Sequence, residues 1–231
     1  NVNGNFGYFK SFRSFIPDMD MQERILQKST NLFIQYGIRS ITMDEIAVQL
    51  GISKKTIYQF YADKNELVTA VIIRILEYNR NCCEVYKIGA KNAVMEVCMA
   101  MELTQELFKN MNPSMLYDLE RYHPEAFQHF KEFKDNYLFR IIKDNLEWGL
   151  KEELYRDDID TTIMTLLRLE TMMLPFNPNV FSRTKFKMED VQRHLIEQFL
   201  YGLVSAKGYK LILKYKAEGI KNVSHDKKEK I

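Results

Sequence analysis

From Asp20 onward, apolar and polar positions follow the period of helices. Ile25, Leu26, Ser29, Leu32, Phe33 and Tyr36 recur at i, i+1, i+4, i+7, i+8 and i+11, one helical face. Gly37 stands where a left-handed residue stops such a helix. Thr42-Met43-Asp44-Glu45 is a capping box, a threonine N-cap with a glutamate at the third helical position. The short helix it opens turns Ile46, Ala47 and Leu50 inward and ends at Gly51. Ser53 then caps a third helix, expected to run to Tyr61, with Ile52 and Ile57 as its hydrophobic staple. Asp63-Lys64-Asn65-Glu66 repeats the capping logic and opens a long fourth helix, expected over 64–80. Three short helices, the second and third joined by a tight turn containing glycine, are the layout of a helix-turn-helix module.

The remainder also reads as helix, over 92–109, 114–122 (after Asn112-Pro113), 124–150, 158–174 and 188–206. Gly208 is expected to break the end of the last of these, before a short apolar segment at 209–216. No segment alternates as a strand would. The first seventeen residues show no helical period and no continuous apolar core of a signal peptide. Residues 1–18 are read as a poorly ordered appendage, with Met19 and Met21 as candidate natural starts. The expected division is this tail, a helix-turn-helix domain at 19–66, and a larger helical bundle at 67–231 entered by the fourth helix.

Composition narrows the class. The 231 residues are 46% hydrophobic and 28% charged, too apolar for disorder, with only nine glycines and five prolines. That shortage of turn residues excludes a sandwich or barrel. The longest uncharged run, Thr171–Ser182, contains Pro175 and Pro178 and is too short to span a bilayer. Cys82, Cys83 and Cys98 form neither a disulfide framework nor a zinc motif, and are expected to be reduced, half-buried thiols of a cytoplasmic protein. Net charge is +2, but both ends are basic: residues 207–231 hold eight lysines. Such ends usually serve as solvated tails.

The third helix carries the candidate chemistry. With Ile57 facing the core, Lys55 and Gln59 point outward as an i,i+4 pair, flanked by Thr56 and Tyr58. Lysine can donate to guanine O6 and N7, and glutamine can bond adenine N6 and N7. The flanking hydroxyls can reach phosphates, which position the protein without reading sequence. Lys54 sits in the first turn; Thr42 and Lys64 stand at helix N-termini, where unpaired N–H groups favour an anion.

The run Arg24–Ile72 resembles the DNA-binding domain of tetracycline-repressor (TetR) family regulators. The likeness lies in the LF…YG end of helix one, the T-M-x-x-I-A start of helix two and the L-G-I-S-K-x-T-I-Y turn and recognition helix. Phe60-Tyr61 and the D-K-x-E-L opening of helix four complete it. The resemblance implies DNA contacts by Thr42, Lys54, Lys55, Thr56, Tyr58, Gln59 and Lys64. It also implies an all-α protein whose C-terminal bundle dimerises and takes a ligand.

No phosphate loop, nucleophile elbow or zinc-protease motif is present, so neither an enzyme nor a cofactor or metal is expected. His123 and His129, six residues apart, split across two helix faces and are not expected to bind metal. Tyr117, Trp148, Met164 and Met172, with Met173, Tyr155 and Phe176, form a methionine- and aromatic-rich set. It reads either as plain core or as the lining of an apolar effector pocket, in which Arg121 or Arg168 anchors an anionic head group. Leu195, Phe199, Gly202, Leu203 and Ala206 are expected at a two-fold dimer interface, because the apolar arc of 188–206 exceeds one core-facing stripe. The expected function is a dimeric, ligand-responsive repressor that binds double-stranded DNA at a palindromic operator, answers an apolar or amphipathic small molecule and avoids membranes. The alternatives are a helical enzyme and a helical interaction protein or activator with a TetR-like fold and no effector.

Overall fold

The computed structural model describes residues 20–182 and 184–218; the expected tail at 1–18 and the last thirteen residues lie outside them. The helices are α1 Met21–Tyr36, α2 Met43–Leu50, α3 Lys54–Tyr58, α4 Lys64–Gly89, α5 Ala93–Lys109 and α6 Ser114–Tyr122. They continue as α7 Pro124–Glu132, α8 Phe139–Lys151, α9 Thr161–Thr171, α10 Met188–Leu203 and α11 Ala206–Glu218. Among the described residues the fold is all-α, apart from one isolated antiparallel bridge between Tyr155 and Val204.

Side-chain caps set most of the helix starts. Asp20, Thr42, Ser53, Asp63, Asn92 and Asp160 each accept a backbone N–H from the first turn of the helix they open. Gly37 closes α1 at φ 86° and ψ 153°, so it has a positive φ but not the left-handed helical pair expected of it. α3 is shorter than expected, and 59–61 form a tight turn in which the Gln59 and Phe60 amides donate to Thr56 and Ile57. α4 runs nine residues beyond the expected Arg80, because nothing between Arg80 and Gly89 breaks it. α7 and α8 are one long helix widened to a π-turn at Phe133–Leu138. There Phe133 and Tyr137 stack at 5.1 Å, and the Tyr137 hydroxyl donates to the Arg80 carbonyl and Glu84 on α4.

Two cores result. The first gathers Ile25, Phe33, Ile46, Ile57 and Tyr61 with Leu67, Val68 and Val71 of α4, and adds Met115, Leu119 and Ala126 of α6 and α7. The second joins Val94, Met95 and Cys98 of α5 to Leu146, Tyr155, Leu200, Leu203 and Ile212. α4 packs on α1, α7 and α5 and links the two.

The helix break expected at Gly208 lies instead at Val204–Ser205. There the segment at 154–156 takes over the backbone: the Arg156 amide donates to Leu203 and the Ser205 amide to Leu154. Ser205 Oγ accepts from the Gly208 amide, restarting the chain as α11. Gly208 lies inside that helix, and a Cβ there would overlap the Leu154 carbonyl oxygen. α9 is also shorter than expected and ends in a single 3₁₀ turn at Leu174–Phe176, enforced by Pro175.

Candidate nucleic-acid interface

The turn between α2 and α3 is a complete Schellman motif. Gly51 adopts φ 67° and ψ 32°, its amide donates to Val48, and the Ile52 amide donates back to Ala47. Only a residue without a Cβ adopts that conformation at no cost. Ile57, fully buried, and Tyr61 then fix α3 to the first core. With one face so anchored, the opposite face must meet solvent.

That face carries Lys55, Tyr58 and Gln59, all exposed, with Thr56 half-buried beside them. Ser53 Oγ accepts from the Thr56 amide at 3.1 Å and meets the Thr56 hydroxyl at 2.9 Å. Lys54 reaches back to Asp44 at 2.8 Å, with its ammonium 6.0 Å from the Tyr58 ring centre; the Asp44 hydrogen bond holds its pKa above the ordinary value. Thr42 is occupied by the capping box: its hydroxyl donates to Glu45 Oε2 at 2.9 Å and accepts from the Glu45 amide at 3.1 Å. The Thr42 amide, which donates to Glu45 Oε2 at 2.6 Å, and after it the Thr42 hydroxyl hold the Glu45 carboxyl below its usual range. Lys64 turns inward. Its ammonium donates to the Ile38 carbonyl at 2.7 Å, 5.9 Å from the Phe33 ring centre, and burial lowers its pKa. Of the seven expected contacts, the structure groups five on α3 and its C-cap, sets Thr42 in its cap and ties Lys64 to the α1–α2 loop.

A second set of polar contacts escaped sequence reading. Arg39 of that loop gives its amide to Asp118 and its guanidinium to Tyr122, whose ring centre is 5.2 Å away. The Asn112 amide donates to Ile34, and the His123 ring meets Asn65 Oδ1 at 2.7 Å. These bonds tie α1, its loop and the start of α4 to α6. The partners stand 58 to 83 residues apart for the side-chain pairs, so no local pattern announces them.

The residues expected to line an effector pocket are not brought together. Tyr117 and Arg121 are exposed on α6, Trp148 and Met164 pack half-buried at the second core, and Arg168 is buried beside half-buried Met172. Two pockets, of about 180 and 430 Å³, are lined by other residues: the first by Cys98, Met101, Leu200, Tyr201 and Tyr215 among others, the second around Lys91, Glu152 and Lys207. The expected interface residues also divide. Leu203 is fully buried within the second core and so cannot lie at a surface, while Ala206 stands exposed beyond the break. Leu195 and Phe199 are half-buried and Gly202 is open; beside them α9 exposes Ile163, Leu166 and Leu167. The thiols of Cys98 and Cys83 are raised by burial to about 11 and about 12, so neither is a reactive thiolate.

Residues 25–71 match the family described as bacterial regulatory proteins, tetR family. The likeness to that family is carried by the helix-turn-helix segment, about a fifth of the chain. It is 32% identical over 107 residues to the uncharacterized HTH-type transcriptional regulator YvaF of Bacillus subtilis, a match covering 46% of this chain and 56% of YvaF. The chain thus spans about half the length of that curated relative. Among solved structures, reduced Escherichia coli NemR superposes with a TM-score of 0.66 at 12% identity, over 80% of this chain and 98% of that one. A regulator from Saccharomonospora viridis in complex with choline gives 0.62 at 16% identity, over 80% and 97%. At these identities the two likenesses establish the fold alone. No helix among the described residues is long and apolar enough to cross a membrane.

Proposed function

We propose that the chain is a TetR-family regulator: a dimeric, ligand-responsive transcriptional repressor that binds a palindromic operator and releases it on binding a small molecule. The observation that carries this reading is α3: a short helix held by a Schellman turn and a buried isoleucine, with Lys55, Tyr58 and Gln59 exposed on its outer face. Lys55 and Gln59 read base edges in the major groove, and Thr56 and Tyr58 hold phosphates. Lys54 joins a phosphate by releasing Asp44. Lys64 serves the complex by fixing the α1–α2 loop through Ile38.

One head of this size makes few contacts, so specific binding calls for two heads on half-sites about one DNA turn apart. Ile163, Leu166 and Leu167 of α9 with Leu195, Phe199 and Gly202 of α10 supply a self-complementary apolar face for that dimer. The S. viridis neighbour in complex with choline supports the small-molecule half of the reading. Selection of bound duplexes from a randomised library tests the whole. Recovery of an inverted repeat bound by a dimer supports it; recovery of no shared sequence refutes it.

A further inference from the structure

A cavity of about 180 Å³ lies where α10 and α11 pack on α5. Its floor is apolar: Cys98 of α5, Leu200 of α10 and Ile212 of α11 are all buried. Toward solvent the wall turns polar, with Glu102, Glu197, Tyr201 and Lys216. At about 100° per residue, Glu197, Leu200 and Tyr201 stand on the side of α10 opposite Leu195, Phe199 and Gly202. The face assigned above to the dimer therefore does not cover the cavity.

The chain's own ammonium marks a cation position on that wall. Lys216 Nζ donates to Glu197 Oε1 at 3.0 Å and lies 5.1 Å from the Tyr201 ring centre. Hydrogen bonds with Tyr201 and Glu197 raise the Lys216 pKa, so the position favours an amine in its charged form. Lys216 is nevertheless loosely held, with its side chain 45% exposed and that of Glu197 23% exposed. Swinging it into water costs little, because a half-exposed ion pair contributes little net stability. Arg193 stays 3.8 Å from Glu197 Oε2, which leaves Oε1 to an incoming donor. With Lys216 withdrawn, the lining residues keep two carboxylates, Glu102 and Glu197, and no cation, a wall that repels anions. A cavity of about 150 Å³ suffices for benzene. One of about 180 Å³ therefore takes a chain of about six carbons.

We propose that this cavity binds a short-chain primary alkylamine, whose ammonium replaces that of Lys216 between Glu197 and Tyr201 and whose hydrocarbon chain lies on Cys98, Leu200 and Ile212. Glu197 Oε1 accepts an N–H from the ligand, which a quaternary ammonium lacks. The inference rests on the ligand-responsive reading above and gives its effector a place and a chemical class. α5, one wall of the cavity, packs on α4, the helix that links the two cores.

Calorimetry on the full chain without DNA tests it, with hexan-1-amine as probe, hexan-1-ol and hexanoate as neutral and anionic controls, and propan-1-amine as the shorter chain. Wild type is expected to bind hexan-1-amine at least about tenfold tighter than hexan-1-ol, the worth of a hydrogen bond to a charged group, and hexanoate no tighter than the alcohol. Each buried methylene is worth about fourfold, so propan-1-amine should bind about sixtyfold more weakly than hexan-1-amine. Glu197→Gln should abolish the preference for amine over alcohol. Lys216→Met keeps the stem and removes the competing ammonium. It should tighten hexan-1-amine by about two- to fivefold, the worth of one half-exposed ion pair, and leave the alcohol unchanged. Equal binding of amine and alcohol, or binding of neither, overturns the proposal. So does amine binding by Lys216→Met that is no tighter than that of wild type, which would make Lys216 a fixed part of the wall. Release of the operator by hexan-1-amine, read separately by fluorescence anisotropy, bears on the regulator reading; its failure leaves the calorimetric result standing.

Discussion

Gly51 isolates the cost of one backbone conformation at the centre of the candidate interface. Its φ is +67° and nothing lies within 4 Å of a Cβ added there, so replacement by alanine meets no steric obstacle. The penalty is conformational only. An L-residue in the left-handed region costs about 1–2 kcal/mol. Alanine also restricts the unfolded chain, which returns about 0.4–1 kcal/mol. The net for Gly51→Ala is a loss of about 1 kcal/mol, and for a chain of 231 residues that lowers the melting temperature by about 2–4 °C. Gly51→Asn should cost less, because asparagine visits this region more readily. Thermal unfolding followed by circular dichroism, with both variants beside wild type, measures the pair. A loss above about 3 kcal/mol would mean that crowding governs the site. An unchanged or raised melting temperature would mean that Gly51 is not held left-handed.

Gly208→Ala should behave differently: its Cβ would overlap a backbone oxygen, so overpacking of about 1–3 kcal/mol is expected in urea melts, and Gly202→Ala, in open space, should cost far less. Leu167→Glu places a charge on the exposed apolar face of α9 and should convert the proposed dimer to monomers in sedimentation, with loss of operator binding; a variant still dimeric would place the interface elsewhere. Burial, reinforced by Lys64, holds His123 below its ordinary pKa of 6.5, so the unfolded chain takes up that proton first. Stability should therefore fall as pH drops through about 6.5 and level off below the folded value, and His123→Asn should flatten that slope in urea melts at about pH 7.5 and 5.5.

Much of the N-terminal domain was legible in the sequence because its determinants are local. Capping residues, the staple at Ile52 and Ile57 and the glycine turn lie within a few positions of the backbone groups they satisfy. The break at Val204–Ser205 was not legible, because the groups that cause it belong to 154–156, some fifty residues earlier. Gly208 looked like a helix breaker and is instead the residue that lets α11 touch the Leu154 carbonyl. Lys64 shows the same limit: helix position marked it for an anion, whereas tertiary structure hands it the Ile38 carbonyl. Periodicity also overstated the surface of α10, since it could not tell that Leu203 faces the second core and Phe199 meets Arg168. The methionine- and aromatic-rich set was a list of residue types, and composition cannot say which of them share a wall.

The central claim, that the outer face of α3 reads DNA sequence, is tested most directly by comparing base preferences across a selected operator and its single-base variants. Gln59→Ala and Lys55→Ala should each weaken binding to the intact operator by about 1–3 kcal/mol and erase discrimination at one base pair per half-site. Lys54→Ala should weaken all duplexes alike and lower the salt slope by about 1, as loss of one phosphate contact requires. If Gln59→Ala and Lys55→Ala kept the wild-type preference at every position, α3 would not be the reading element and the account would fail.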